Sequence, residues 1–277
     1  MLQSLPIRSV FISDSHLGFR YSKAEELYGF LCACQPDFLY LVGDFLDGWR
    51  LKANWYWPET YTKIMERILQ LAQDGTKVFY TPGNHDDFLR GNIPLIPPIE
   101  IADEFVHTMA DGRQFYVTHG DLFDSVERNS KWLSGFGTSV YDLIMWSNKR
   151  SNSVLKRLQI REFNYAHGLK RLSKKTVSMI SGYKTKLTQH AKNIDCVGVI
   201  CGHNHFPKIS KRKGIIYANS GDWVEHSSAL VELIDGSLVL INRGQIIDRL
   251  DSNSIRRARK PRFLRRRKRR ERSPSSV

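Results

Sequence analysis

Lys77-Val78-Phe79-Tyr80-Thr81-Pro82-Gly83-Asn84-His85-Asp86 sets the reading of the whole chain. The apolar run from Lys77 to Tyr80 predicts a strand, and Thr81-Pro82-Gly83 predicts a tight turn at its C-terminal end. Gly83 lets the backbone turn sharply and approach a ligand closely. Asn84 and His85 then project from the mouth of a sheet, where α/β proteins place their chemistry. A Gly-Asn-His-Asp tetrapeptide alone is most often only a turn. Here four further strand-end motifs complete the same kind of site.

Toward the N-terminus, Ser9 to Ser13 predicts a first buried strand ending in Asp14-Ser15-His16. Alternate residues of an extended segment face the same way, so Asp14 and His16 can grip one ion together. Asp37 to Val42 predicts a second strand, ending in Gly43-Asp44-Phe45-Leu46-Asp47. Between the strands, Ser22 to Cys34 and Glu59 to Gln73 carry helical spacing, and Gly75 ends the second run. Toward the C-terminus, Gln114 to Val117 leads into Thr118-His119-Gly120-Asp121, and Cys196 to Cys201 into Gly202-His203-Asn204-His205. Ile215 to Ala218 leads to Asn219-Ser220-Gly221-Asp222-Trp223, and a hairpin closes around Asp235-Gly236. Alternating strand and helix predicts an α/β sandwich over residues 1–250, with ligands collected at one edge.

Residues 125–193 break this rhythm. Helical patterns around Trp132–Trp146, Ser153–Ile160 and Lys170–Ile180 predict a cap that packs on the core and offers apolar surface to a substrate. Residues 251–277 are highly charged and nearly free of apolar side chains, which predicts a disordered basic tail.

The net charge of +14 is unevenly placed: +11 in residues 256–272, +11 in residues 125–193 and −8 in the rest. The acidic portion carries the candidate metal ligands, the basic middle suits an anionic substrate, and the tail suits an anionic surface. At 277 residues and 41% apolar content a sizeable core can form. The four cysteines lack zinc-site or thioredoxin-like spacing and read as reduced thiols of a cytosolic protein. No secretory signal and no apolar run of transmembrane length is visible.

Gathered together, the strand ends offer Asp14, His16, Asp44, Asn84, His119, His203 and His205. A mixed nitrogen and oxygen donor set without thiolate suits Mn, Fe or Zn. Seven donors exceed the need of one ion, so two ions sharing Asp44 are expected. Such a pair, about 3.5–4 Å apart, clamps both oxygens of an in-line phosphoryl displacement.

Asp-x-His, Gly-Asp-x-x-Asp, Gly-Asn-His-Asp, Thr-His-Gly and Gly-His-x-His, in this order over roughly residues 9–205, resemble the calcineurin-like metallophosphoesterases. The resemblance implies a four-layer α/β fold, a β-sandwich flanked by helices. It implies Asp14, His16, Asp44 and His205 as ligands of a first metal, and Asp44, Asn84, His119 and His203 as ligands of a second. His85 is similar to the family's non-ligand histidine that protonates the leaving oxygen, and Asp47 would orient it.

Gly48 stands where protein Ser/Thr phosphatases carry arginine, which disfavours that activity. Asp47-Gly48-Trp49, the stretch Asn84 to Gly91, His119 to Asp124 and Gly221-Asp222-Trp223 resemble the UDP-2,3-diacylglucosamine pyrophosphatase group of lipid A synthesis. That implies a UDP-lipid substrate split into UMP and 2,3-diacylglucosamine 1-phosphate, on the cytoplasmic face of the inner membrane. The best-known members carry Arg at the position of His85, which leaves another nucleotide or a soluble phosphoester open as substrate. Arg90 and Lys131 are candidates to meet substrate phosphate, and Trp132 to meet its apolar part. The tail suits anionic lipid, or polyanions without specificity. An inactive nucleic-acid-binding protein is disfavoured by the complete ligand set and by a tail whose single aromatic residue is Phe263. His107, His167, His190 and His226 read as surface or packing residues.

Overall fold

The computed structural model describes residues 5–91, 98–124, 174–212 and 214–252. Strand β1 (Ile7–Ile12) is followed by helix α1 (Ala24–Cys32) and strand β2 (Phe38–Val42). Then come a short helix α2 (Gly48–Ala53), the longer α3 (Glu59–Gln73) and strand β3 (Lys77–Thr81). These three strands run parallel and adjacent, joined by crossovers through α1 and α3. Strand β4 (Ile99–Ile101) adds parallel to β3.

A second sheet begins with β5 (Phe105–Thr108) and β6 (Gln114–Val117). After helix α4 (Lys174–Asn193) it gains β7 (Gly198–Cys201), β8 (Lys208–Arg212) and β9 (Ile215–Asn219). The chain then returns to the first sheet as β10 (Ser228–Leu233), β11 (Leu238–Asn242) and β12 (Gln245–Leu250). The strand orders are β12-β11-β10-β1-β2-β3-β4 and β5-β6-β7-β9-β8.

The two-residue period of the strands sorts their side chains into layers. Val10, Ile12, Leu39, Leu41 and Val78 face out of the first sheet and meet Leu27, Phe30 and Leu31 of α1 with Tyr61, Ile64, Ile68 and Leu71 of α3. Phe11, Tyr40 and Val42 face the other way and pack between the sheets against Phe115, Val117, Ile200, Ile216 and Ala218. On the far side of the second sheet, Tyr183, Leu187 and Ala191 of α4 cover Tyr116, Val199, Cys201 and Tyr217. The order of layers is helix, sheet, sheet, helix, as expected. With apolar side chains on both faces, the central strands read as continuous apolar runs rather than as alternations.

Two differences from the sequence reading have physical causes. Strands β4, β5, β8 and β12 and helix α2 went unassigned. β4 and β8 are edge strands, β12 is an edge strand with five exposed residues, and α2 buries no residue. Edges carry little of the apolar signal that marks a strand. The second half of α4 lies inside the range assigned to the cap, yet it forms the fourth layer of the sandwich. The remaining cap helices, Lys131, Trp132, His167 and the tail from residue 253 lie outside the described residues. Cys34, Cys196 and Cys201 are buried and all four cysteines are free; burial pushes the Cys34 thiol up to about 12.

Candidate active site

Strands β1, β2 and β3 in one sheet and β6 and β7 in the other each end in a loop bearing candidate ligands. The loops are stitched to one another. Asp14 N–H donates to Gly43 O at 3.0 Å, and His16 N–H to Asp44 O at 2.9 Å. Gly202 N–H donates to His119 O at 3.2 Å, and Trp223 N–H to Asp14 O at 3.0 Å. Ligands far apart in sequence therefore sit on one hydrogen-bonded frame.

The frame holds its ligands in an uncommon backbone conformation. Eight non-glycine residues among those described have positive φ, and five of them are Asp14, His16, Asp44, His203 and His205. Each such residue costs on the order of 1–3 kcal/mol and persists where surrounding bonds over-determine it. This corrects the expectation that Asp14 and His16 converge as alternate residues of an extended strand. β1 stops at Ile12, and two left-handed residues separated by Ser15 turn both side chains inward. The same close packing explains Gly43 and Gly83. A Cβ on Gly43, itself at φ +77°, would fall inside the His119 ring, and one on Gly83 would strike Asp44.

Asp14, His16 and His205 form one group. His205 Nε2 lies 3.2 Å from Asp14 Oδ1 and 3.3 Å from His16 Nε2. His16 Nδ1–H donates to Asp47 Oδ2 at 3.3 Å, so in the neutral ring Nε2 carries a lone pair toward His205. Asp14, His16 and His205 thus bring one ligand atom each within reach of a single cation.

Asp14, Asp44 and His119 form a second group. His119 Nδ1 must donate to the Val42 carbonyl at 2.9 Å, which leaves Nε2 a bare acceptor. That Nε2 is buried without a hydrogen bond, 3.4 Å from Asp44 Oδ2, and the buried Asn84 Oδ1 likewise has no hydrogen-bond partner. Unsatisfied buried acceptors are rare and call for an explanation; one of them beside the Asp44 carboxylate, and another on the neighbouring β3 loop, fit a divalent cation. Asp44 Oδ2 also lies 4.0 Å from His16 Nε2, so this oxygen stands between the groups. His203 sits beside them, its ring 5.3 Å from that of His119 and its Nε2 3.4 Å from Asp124 Oδ2.

His85 Nδ1 donates to Asp47 Oδ1 at 3.0 Å, the pairing expected from sequence. The Trp49 ring lies over the His85 imidazole, centroids 4.2 Å apart, and the His16 ring meets it edge-on. Asp47 also takes Arg50 N–H at 3.1 Å as the cap of α2, and Arg50 Nε stands 3.2 Å from its other oxygen. Burial raises Asp47, but the hydrogen bonds from His16 and His85 prevail and hold it well below the usual carboxylate range. One carboxylate thus orients both a candidate ligand and the candidate acid.

Two residues that sequence reasoning left without a role complete the frame. Asp86 is fully buried and accepts N–H bonds from Gly83 at 2.5 Å, Asp44 at 3.2 Å, Phe45 at 2.8 Å and Leu46 at 3.3 Å, plus the Tyr80 hydroxyl. Asp222 accepts from His226 Nδ1 at 2.6 Å and from the backbone of Val224, Glu225 and His226. Both are acids inside the quoted motifs, which was their only sequence signal. Arg90, expected at substrate phosphate, instead forks onto Asp121 at 2.8 and 2.9 Å and donates to Pro82 O at 2.6 Å. Its guanidinium ties the exits of β3 and β6 together. His190 packs on Tyr116 and Phe123, as a packing residue should.

Carboxylates and imidazoles converging at parallel strand ends, with orphaned acceptors among them, define a metal-binding hydrolytic site. A family model described as calcineurin-like phosphoesterase matches residues 7–207, and the chain belongs to that family of metal-dependent phosphoester hydrolases. Among curated relatives, a UDP-2,3-diacylglucosamine hydrolase of Porphyromonas gingivalis is 24% identical over 127 residues, 43% of this chain and 48% of its own length. A DNA polymerase II small subunit of Thermoplasma acidophilum is 26% identical over 79% of this chain and 45% of its own. The chain thus spans about half the length of these two. A UDP-2,3-diacylglucosamine hydrolase of Neisseria gonorrhoeae is 25% identical over 82% of this chain and 94% of its own. Among solved structures, the Escherichia coli phosphoesterase Yfce is 17% identical with a TM-score of 0.47, covering 88% of this chain and 99% of that one.

Proposed function

We propose that the chain hydrolyses the pyrophosphate of UDP-2,3-diacylglucosamine to UMP and 2,3-diacylglucosamine 1-phosphate, working at the cytoplasmic surface of the inner membrane. The observation that carries this reading is the Neisseria relative, aligned over nearly its full length with the substrate in its name. The two donor groups support it, because a pyrophosphate needs its attacking and leaving oxygens stabilised together.

In this reading Asp14, His16, Asp44 and His205 hold one divalent ion, and Asp44, Asn84, His119 and His203 a second, with Mn as the proposed metal. When bound, the ions supply Lewis-acid charge at the phosphoryl oxygens and activate the attacking water. The protein supplies the rest. Asp47 fixes the His85 tautomer by taking its Nδ1 proton, which assigns Nε2 as the atom that gives a proton to the leaving oxygen. Trp49 and His16 hold the imidazole ring on two sides. Lys131 and Trp132, outside the described residues, remain proposed for the substrate's phosphate and apolar portions.

The test is UMP release from UDP-2,3-diacylglucosamine in mixed micelles containing Mn, with a soluble aryl phosphodiester as the comparison substrate. Asp44→Ala should abolish turnover of both. His85→Ala should keep both metals and lose about 10²–10⁴-fold in kcat. Turnover of the soluble ester alone would overturn the substrate, and no turnover of either with metals bound would overturn the two-metal mechanism.

A further inference from the structure

The turn after Asp47 does more than close the site: it carries Trp55, the most exposed aromatic side chain among the described residues. α2 buries no residue, and the chain leaving it, Asn54-Trp55-Tyr56-Trp57-Pro58, presents Trp55 at 72% exposure and Tyr56 at 36%. Phe88, 54% exposed, packs over Gly48 at the other end of α2. Leaving large apolar rings in water is unfavourable by roughly 25 cal/mol per Å², so adjacent exposed rings such as Trp55 and Tyr56 mark a surface that is covered in use.

These rings are held rather than loose. Trp55 and Trp57 stack with centroids 5.9 Å apart and planes at 25°. Trp57 Nε1 donates to Thr62 Oγ1 at 3.0 Å, and Tyr56 and Trp57 both meet the buried Tyr61 ring edge-on. The turn is coupled to the site through few contacts. The Tyr61 hydroxyl donates to Phe19 O at 2.8 Å, and the Phe19 ring lies 3.9 Å beneath the Arg50 guanidinium that stands on Asp47. The aromatic turn therefore lies one short helix away from Asp47 and is linked to it by this run of contacts.

Its chemistry distinguishes among occupants. Trp and Tyr are amphipathic rings that favour the boundary between lipid headgroup and acyl chain. Cations stand among them: the Arg20 guanidinium lies 5.8 Å over the Tyr56 ring, with Arg50 and Lys52 on α2. Residues 19–26 and 49–63 hold five Lys/Arg against three Glu, in a chain of net charge +14. Lys63 is paired to Glu59 at 2.8 Å, Arg50 to Asp47 at 3.2 Å, and Lys23 donates to Glu225 O at 2.8 Å, so Arg20 and Lys52 are the cations that the turn itself offers to an anionic surface. Interleaved aromatic and basic side chains on a short exposed turn match a bilayer interface better than the dry, charge-depleted centre of a protein contact.

We infer that Trp55-Tyr56-Trp57 is a membrane-interface anchor that inserts its rings at the headgroup level of a lipid bilayer and holds the mouth of the site against it. The inference rests on the lipid-substrate reading above, since only a substrate resident in a bilayer requires the rim to lie there.

The experiment measures quenching of tryptophan fluorescence in the full-length protein by vesicles of brominated phosphatidylcholine in 0.5 M NaCl. A zwitterionic lipid and high salt suppress the charge-driven contribution of the basic tail. Wild type should be quenched with saturable lipid dependence. Trp55→Ser/Trp57→Ser should partition about ten-fold more weakly, and Trp55→Ser alone should fall between. Because Trp55 is mostly in water, the single variant should keep the wild-type unfolding midpoint and wild-type hydrolysis of the soluble phosphodiester. Equal partitioning of wild type and variants would overturn the anchor, as would the absence of wild-type quenching at any lipid concentration. Self-association lost on Trp55→Ser, without vesicle binding, would replace the bilayer with a second copy of the chain. Trp55-dependent quenching without turnover of the UDP-lipid overturns the substrate reading alone; turnover without quenching overturns the anchor alone.

Discussion

Asp86 shows how much of this site is decided one residue at a time. It touches no candidate cation, yet four backbone N–H groups from two loops end on its carboxylate, including that of Asp44 itself. Such outer partners govern ligand orientation, and losing one typically costs 10–100-fold in metal affinity. Asp86→Asn keeps the size but cannot accept every donor, so Mn affinity measured by titration calorimetry should drop by about 10–100-fold. Unchanged affinity would mean that the loops hold Asp44 without it. The ligands themselves were legible because each follows a strand in a spaced motif. Asp86 was not, because three of its four N–H donors come from a loop about forty positions away that only folding brings near.

At the scale of elements, α4 is the instructive case. A Lys-rich amphipathic helix gives the same spacing whether it caps a substrate groove or covers a sheet. The structure settles its second half: Leu187, fully buried, packs with Tyr183 and Ala191 on the outer face of the second sheet. Leu187→Ala should therefore destabilise the whole domain by about 2–5 kcal/mol in denaturant unfolding, rather than altering substrate affinity alone. Full stability with a raised KM would return that segment to the cap. The apolar central strands were legible. The edges were not, since β8 and β12 mix charge with apolar residues as exposed edges do.

The two sheets of the whole molecule are joined by a buried polar knot as well as by apolar packing. Glu232 of β10, fully buried, lies 2.7 Å from His107 Nε2 of β5, takes Ser9 Oγ at 2.5 Å and Ala110 N–H at 2.7 Å, and pairs with Arg8 at 2.9 Å. The Tyr40 hydroxyl meets the other nitrogen of His107 at 3.0 Å. Burial raises the Glu232 carboxyl, but these donors prevail and hold it below its ordinary value of 4.5. A depressed folded value means that the stability Glu232 contributes is present above 4.5 and is lost as pH falls through the lower folded value. Glu232→Gln should unfold about 3 kcal/mol more easily at pH 7, because it strands the buried partners. It should also lose less stability than wild type between pH 5 and about 3, as read by urea denaturation. Parallel pH curves for the two proteins would show that the knot carries no charge-dependent stability.

Sequence alone determined the alternation of strands and helices, the order of the strand-end motifs and, through them, the family. Those features are written in local period and spacing, which survive in a linear chain. Tertiary structure decided which loops share a frame, which buried polar atoms are left without a hydrogen bond, and that an orphaned His119 nitrogen lies 3.4 Å from Asp44. It also decided that His107 is a buried partner of Glu232 rather than a surface residue. Hydrogen bonds between residues a hundred positions apart depend on how two sheets stack, and no periodicity along the chain records that.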